Sequence, residues 1–381
     1  MNRSRKKRLL IDANSTIVRK GQSYIPGVGR TTLDLIRALA QIDDLPFEIV
    51  LYSQTVRGRR LQYYKLPFKS INFPLPGNSR MRKVTGTLPI RELFIGYDLL
   101  HIPHNFDYVY APEKTVVTIH DAMFFSYPED FLGHASARER YPELARKCKA
   151  IVTCSRSSKN DIVHYMNIPP EKVTVIPWGV NTDTFYPQNG DDSSRYLRDT
   201  FGINRPYFFS VSCDVGRKNT ISLARAYKKF LEERANHDLV LVWKSPPDEY
   251  IKECSREIGN KRIHILKSVT DDELRMLYSN ATAMFFPSKY EGFGLPVLES
   301  MACGTPVVTC RNSSLHEAGG DAALYTGPDD IDHMVAIMEQ FDSGNYDIMK
   351  LRSISLEHAK KYSWEKTARA YTRFYEENLF S

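Results

Sequence analysis

Between Glu48 and Glu92 the chain has no acidic residue, while nine lysines or arginines fall in that stretch. The formal net charge of all 381 residues is only +7, so this one segment carries more positive charge than the whole balance. Other absences bound the class. No run of about eighteen apolar residues occurs, which argues against a membrane-spanning helix. The basic start MNRSRKKRLLIDAN lacks the apolar core and small-residue cleavage site of a signal peptide, so a cytoplasmic setting is expected. Six cysteines (148, 154, 213, 254, 303, 310) show no C-x-x-C spacing, which fits reduced thiols rather than a disulfide framework. No G-x-G-x-x-G follows a strand in a βαβ unit, which argues against a simple NAD dehydrogenase. There is no internal repeat and no low-complexity tract.

What is present is a regular alternation of strand and helix patterns. KRLLIDA, FEIVLYS, DLLHIPH, TVVTIHD, AIVTCS and VTVIPWG read as strands, with TTLDLIRALAQ, ERYPELARKCK and SSKNDIVHYMN as helices among them. The polar run NTDTFYPQNGDDSSRYLRD is the expected linker. A second series follows: strands PYFFSVSC, DLVLVWK, RIHILKS, AMFFPS and PVVTC, and the helix TISLARAYKKFLEE. The chain is too long for one ordinary core. The expected fold class is α/β, with two Rossmann-like, doubly wound domains over 1–185 and 186–362 facing a central cleft. An amphipathic C-terminal helix over 363–381 is expected to pack back on the first domain.

The stretch EGFGLPVLE, residues 291–299, places a carboxylate on each side of a glycine turn. An apolar run ending at Ser288 precedes it. Pro296 suits a first helical position, with Glu299 in the first turn, and Gly304 suits the C-cap. The pattern reads strand, loop, short helix, strand, which puts Glu291 at the carboxyl end of a parallel strand, where open α/β sheets bind ligands. Gly216, Arg217, Lys218 and Asn219 lie between another strand and helix. Two adjacent cations at a helix start suit a diphosphate, although a solvated basic turn has the same composition. His120 and Asp121 end a further strand, a place where histidine is often structural. Gly27 and Gly29 open the first helix, and a glycine pair there admits a phosphate only weakly as a motif. Asp330 and Asp332 have metal-binding spacing, yet they directly precede a helical run, where aspartate is a favoured cap. No metal or other cofactor is expected.

In combination these residues are more specific. Glu291 and Glu299 in E-x7-E spacing, the loop GFGLP, the stretch SMACGTPVV, Arg217–Lys218, IHD followed by Pro128–Glu129, CSRSSKNDI, VIPWGV and the closing SWEKTA together resemble the retaining glycosyltransferases of family four, of GT-B fold. The resemblance spans nearly the whole chain. It implies that Lys218 and Arg217 contact the donor diphosphate, and that Glu299 binds the ribose hydroxyls. Glu291 would sit by the transferred sugar, with the backbone amides of Phe293, Gly294 and Leu295 near sugar hydroxyls and phosphate. His120 would lie over the donor sugar, and Gly27 and Gly29 would match a glycine loop that closes on the phosphates. The sequence departs from the family pattern at Cys213, where many members carry arginine, and at Trp178 and Asn181. Neither of the last two is expected to touch the reacting groups.

The resemblance implies transfer of a hexose from a nucleotide-sugar donor, with GDP-mannose favoured and a UDP-sugar as the alternative. It also implies reaction on one face of the sugar, with no protein nucleophile. The other readings are a sugar-nucleotide epimerase and a non-catalytic nucleotide-sugar binder on the same fold. Acceptor recognition is expected in the first domain. There the acid-free segment interleaves Arg57, Arg59, Arg60 and Lys65 with Tyr63 and Tyr64, which suits a polyprenyl-linked glycan or an anionic membrane surface. A solvated loop fits the same pattern. Nucleic acid is not expected, since no recognisable binding module accompanies the charge.

Overall fold

The computed structural model describes residues 5–18, 25, 27–56, 61–76, 79–104, 108–130, 134–212, 216–232, 236–243 and 262–381. The chain divides into two compact units, Met1–Gly179 with Trp364–Ser381, and Val180–Ser363. The first holds seven parallel strands: β1 (Arg8–Asp12), β2 (Glu48–Gln54), β3 (Lys69–Phe73), β4 (Leu99–Ile102), β5 (Thr115–Thr118), β6 (Ala150–Thr153) and β7 (Val173–Val175). They lie in the order β3-β2-β1-β4-β5-β6-β7. Leu10 stands opposite Val50 on one side and Leu100 on the other.

The inner strands carry continuous apolar runs, such as Leu9–Ile11 and Ile49–Tyr52, because both faces are covered. Leu9, Ile11, Leu99, Val116 and Val152 face one core with the helices Gly27–Leu39 and Trp364–Phe380. Leu10, Val50, Leu100, Val117 and Ile151 face the other, under the helices His134–Lys147 and Arg156–Met166. Alternation along each strand splits one apolar run between two cores. The final helix contributes Ala368, Tyr371, Phe374, Tyr375 and Leu379 to the first of them.

The second unit repeats the plan with β8 (Tyr207–Ser212), β9 (Asp238–Trp243), β10 (Ile263–Leu266), β11 (Ala283–Phe286), β12 (Val307–Thr309) and β13 (Leu324–Tyr325). All are parallel, in the order β10-β9-β8-β11-β12-β13. Phe208, Leu239, Leu241, Phe285 and Val308 pack on the helices Thr220–Leu231 and Ile331–Asp342. In each sheet the direction of winding reverses once, between β1 and β4 and between β8 and β11. Those two points are where such sheets hold ligands, outside the carboxyl ends of the strands.

Several expectations need correction. The first division falls at 179/180 rather than 185/186, because Val180 N–H donates to Tyr362 O and the Thr184 carbonyl accepts from Arg275, both within the second unit. The run expected to be a linker contains the helix Asp191–Phe201, ended by Gly202 in a left-handed conformation. Its many turn formers hid the buried Ser193 and Leu197. β3 lies inside the acid-free segment, and Leu66 and Phe68 just before it pack on the first core. Tyr64, offered as a surface residue, joins them there and donates its hydroxyl to Thr16 O at 2.6 Å. Lys65 is exposed. Arg57, Arg59, Arg60 and the Tyr63 side chain lie outside the described residues.

Candidate active site

In the second unit the residues after β8 and β11 meet at the carboxyl edge. Gly216–Lys218 forms a short 3-10 turn, and Asn219, in the left-handed region at φ 57°, turns the chain into the helix Thr220–Leu231. Asn219 tolerates that conformation because its amide donates to Pro287 O at 3.1 Å and its Oδ1 accepts from Ser222 at 2.8 Å. The turn is tied to the neighbouring strand end, since Lys289 N–H donates to Arg217 O at 2.7 Å.

This tie brings three charges together. Lys218 Nζ donates to Glu291 Oε1 at 2.7 Å, and Arg217 Nη1 lies 3.2 Å from the same oxygen. Ser288 Oγ donates to it at 2.7 Å as well. Arg217 also donates to Tyr290 O at 2.8 Å, and the Lys218 ammonium lies over the Phe286 ring at 4.9 Å. Glu291 is only 8% exposed. Burial alone would raise its carboxyl, but Lys218, then Arg217 and the Ser288 hydroxyl outweigh burial and hold it below the usual carboxylate range. The cluster is therefore an ionised carboxylate facing two cations. Removing either partner of such a buried pair typically costs about 3–5 kcal/mol.

A second loop, unnoticed in the sequence, fixes the Glu291 backbone. Ser313 Oγ accepts from Glu291 N–H at 3.0 Å, and Ser314 Oγ donates to Glu291 O at 2.8 Å. Asn312 donates to Ser288 O and Lys289 O. A run of small polar residues just past a strand was the available signal, and such runs are common in loops.

The helix Leu295–Ala302 begins one residue earlier than expected. Gly294, at φ 104°, supplies the turn, so Pro296 is the second helical residue and Glu299 falls in the second turn. A Cβ on Gly294 would also approach Ala318 Cβ and Leu315 Cδ2 to 3.2 Å. Cys303 is the C-cap and Gly304 follows it, with Thr305 N–H returning to Ser300 O at 3.0 Å. Glu299 is buried and accepts from the Tyr278 hydroxyl at 3.2 Å. Phe293 is buried within the turn. Asp330 caps the helix Ile331–Asp342 by accepting from His333 N–H, while Asp332 pairs with Lys229 at 2.7 Å. Among the described residues no group of three histidines, cysteines or carboxylates is placed to hold a metal ion.

The remaining candidates lie in the first unit. His120 follows β5, and burial, with the charge of His104 adding to it, pushes its imidazolium down to about 4, so the ring is neutral. Trp178 packs against it with centroids 5.2 Å apart. Both line a small cavity of about 10 Å³ with Thr31, Pro103 and Tyr371. Asn181 instead makes a local turn, accepting from Asp183 and Thr184 N–H. Gly27 and Gly29 sit in the first turn of the helix Gly27–Leu39. At Gly29 a Cβ would come within 2.1 Å of Ser15 O, so this glycine lets the helix approach the chain after β1.

Of the two parallel-sheet Rossmann-like units, the second carries a cation pair and a carboxylate at its strand ends. The description "Glycosyltransferase Family 4" matches residues 25–184, and "Glycosyl transferases group 1" matches residues 197–355. The O-antigen chain mannosyltransferase B of Escherichia coli is 30% identical over 279 residues, which cover 70% of this chain and 71% of that protein. The chain belongs to the family-four glycosyltransferases. Among solved structures, sucrose-phosphate synthase from Thermosynechococcus elongatus superposes with a TM-score of 0.75 at 18% identity, over 98% of this chain and 99% of that one. Anabaena HepE in complex with UDP and glucose superposes with a TM-score of 0.71 at 16% identity, over 97% and 100%.

Proposed function

We propose that the chain is a retaining hexosyltransferase that moves mannose from GDP-mannose to a glycan or polyprenyl-linked glycan in polysaccharide synthesis. The observation that carries the reading is the single Glu291 oxygen shared by Lys218 and Arg217. A nucleoside diphosphate needs charge stabilisation as it departs, and two cations held beside a helix start supply it. The mannose preference draws on the E. coli relative's activity.

In the reaction the bond from the sugar's anomeric carbon to the diphosphate breaks. The acceptor hydroxyl forms the new bond on the same face, and its proton passes to the departing phosphate oxygen. Arg217 and Lys218 take the growing phosphate charge, helped by the positive end of the helix Leu295–Ala302 near the amides of Phe293, Gly294 and Leu295. Glu299 would bind the ribose hydroxyls. Glu291 would position the sugar and balance developing positive charge, and neutral His120 would hydrogen-bond the sugar.

Calorimetric titration of the protein with GDP, UDP, ADP and dTDP, with and without EDTA, tests the reading. GDP should bind most tightly, and equally in EDTA. Preference for UDP would shift the donor to a UDP-sugar, EDTA-sensitive binding would overturn the metal-free mechanism, and no binding would remove the enzyme.

Attachment to an anionic cytoplasmic membrane face belongs to the same proposal. No helix among the described residues is long and apolar enough to cross a membrane. Leu93 and Phe94 are more than 70% exposed, and they follow the helix Ser79–Thr87, which carries the exposed Arg80 and Lys83. Apolar side chains beside cations suit an anionic lipid interface. Sedimentation with vesicles containing about a third anionic lipid should weaken when Leu93 and Phe94 become Ser, or when Arg57, Arg59 and Arg60 are neutralised. Unchanged binding in both would refute the attachment.

A further inference from the structure

The winding reversal in the first sheet, between β1 and β4, carries an open polar cavity of about 40 Å³ that the proposed donor site does not use. Asp12 ends β1, Gln54 ends β2, His104 lies just past β4, and the helix Ser79–Thr87 adds Arg82 and Thr85. Arg91 and Tyr108 complete the polar wall.

Much of that wall is internally satisfied. Asp12 Oδ1 accepts from Asn14 Nδ2 at 2.7 Å and lies 3.0 Å from His104 Nε2. Asn14 Oδ1 accepts from Gln54 N–H at 2.7 Å, and Gln54 Oε1 accepts from the Tyr52 hydroxyl at 3.1 Å. The two guanidiniums are different. Arg91 is 4% exposed and lies 3.8 Å from Asp12 Oδ2, yet its Nε–H has no acceptor among the described residues. The Nε–H of Arg82 is likewise buried without one. Buried donors on charged groups are expensive to leave unmet, so two converging on one cavity call for an acceptor from outside. Among the described lining residues Asp12 is the only carboxylate, against two arginines, and Lys83 and Arg140 flank the Tyr108 ring at 5.4 Å and 5.3 Å. The excess charge is positive.

We propose that this cavity is a subsite for an oxyanion, phosphate or carboxylate, carried by a sugar unit of the acceptor, with Arg82 and Arg91 as its ligands and Gln54, Thr85 and Tyr108 flanking the sugar. The inference rests on the acceptor half of the proposed transfer, and it gives a use to two cations of the acid-free segment. A guanidinium fork suits either oxyanion, and a planar carboxylate would use it differently from a tetrahedral phosphate.

The test is titration of the intact protein with mannose 6-phosphate, glucuronate, inorganic phosphate and unmodified mannose. Variants Arg82→Gln and Arg91→Lys follow, the second keeping the charge but losing the fork. At least one sugar anion should bind more tightly than mannose, and each variant should weaken it by roughly tenfold or more while nucleotide binding stays unchanged. The phosphate and glucuronate arms tell which oxyanion the site prefers. Binding that survives both variants but vanishes in Lys218→Ala would place the anion at the other unit's cation pair and overturn the inference. Nucleotide binding without any sugar-anion binding would overturn it too, while sparing the transferase reading. Anion binding lost in both variants, in a protein that binds no nucleotide, would support the site and remove that reading instead.

Discussion

Glu291 is the residue on which the proposed donor site turns, because it neutralises the two cations assigned there to a diphosphate. Lys218 and Arg217 both pair with its Oε1. Glu291→Gln keeps the shape and removes the charge, so it should bind the free nucleoside diphosphate as tightly as the parent or more so. Its turnover should nevertheless fall by about a hundredfold or more, the scale seen when one preorganised group is lost from a polar site. Weaker nucleotide binding together with normal turnover would contradict the assignment. The pH sign follows from the lowered carboxyl. Its folded value lies below the unfolded one, so the stability it contributes is present above the usual carboxylate range and is lost as pH falls through the folded value.

At the scale of elements, the turn before the helix Leu295–Ala302 decides where that carboxylate stands. Gly294→Ala would put a Cβ at φ 104° and 3.2 Å from Ala318 and Leu315. We expect about 1–3 kcal/mol of lost stability, read as a lower urea midpoint, with nucleotide binding impaired in the fraction that stays folded. A neutral result would mean the turn relaxes freely. The same elements show what the sequence discloses. Buried parallel strands such as β8 and β11 are legible because both faces are apolar, and the Glu291 turn is legible because glycine and proline have strict geometric uses. β13 is two residues long, too short for any periodicity to register. Helix Asp191–Phe201 is mostly polar and exposed. The Asn312–Ser313–Ser314 support, the Trp178 contact and the inward turn of Tyr64 depend on which distant chain lies opposite, and periodicity holds no information about that.

For the molecule as a whole, the connectivity of the two units makes them unequal. Val180–Ser363 is one uninterrupted stretch, whereas the first unit is completed only by Trp364–Ser381. Residues 180–363 alone should therefore fold and bind the nucleotide, with a single cooperative thermal transition. Residues 1–179 alone lack Tyr371, Phe374, Tyr375 and Leu379 from a core, and Tyr375 also meets the buried His101 through a 2.8 Å hydrogen bond. Deleting that set removes several large apolar side chains at about 3–5 kcal/mol each, enough to unfold an ordinary domain. A soluble, cooperatively melting 1–179 fragment would show that the final helix is dispensable.

That helix also sets an order of events during synthesis. Because its residues leave the ribosome after all of 180–363, the first-made unit cannot close until the second has been translated. At about 5–20 residues per second the delay is on the order of ten to forty seconds. Throughout it, the surface awaiting Phe374 and Tyr375 should stay open to chaperones, and a message truncated anywhere upstream should yield a chain whose opening half has no lasting fold.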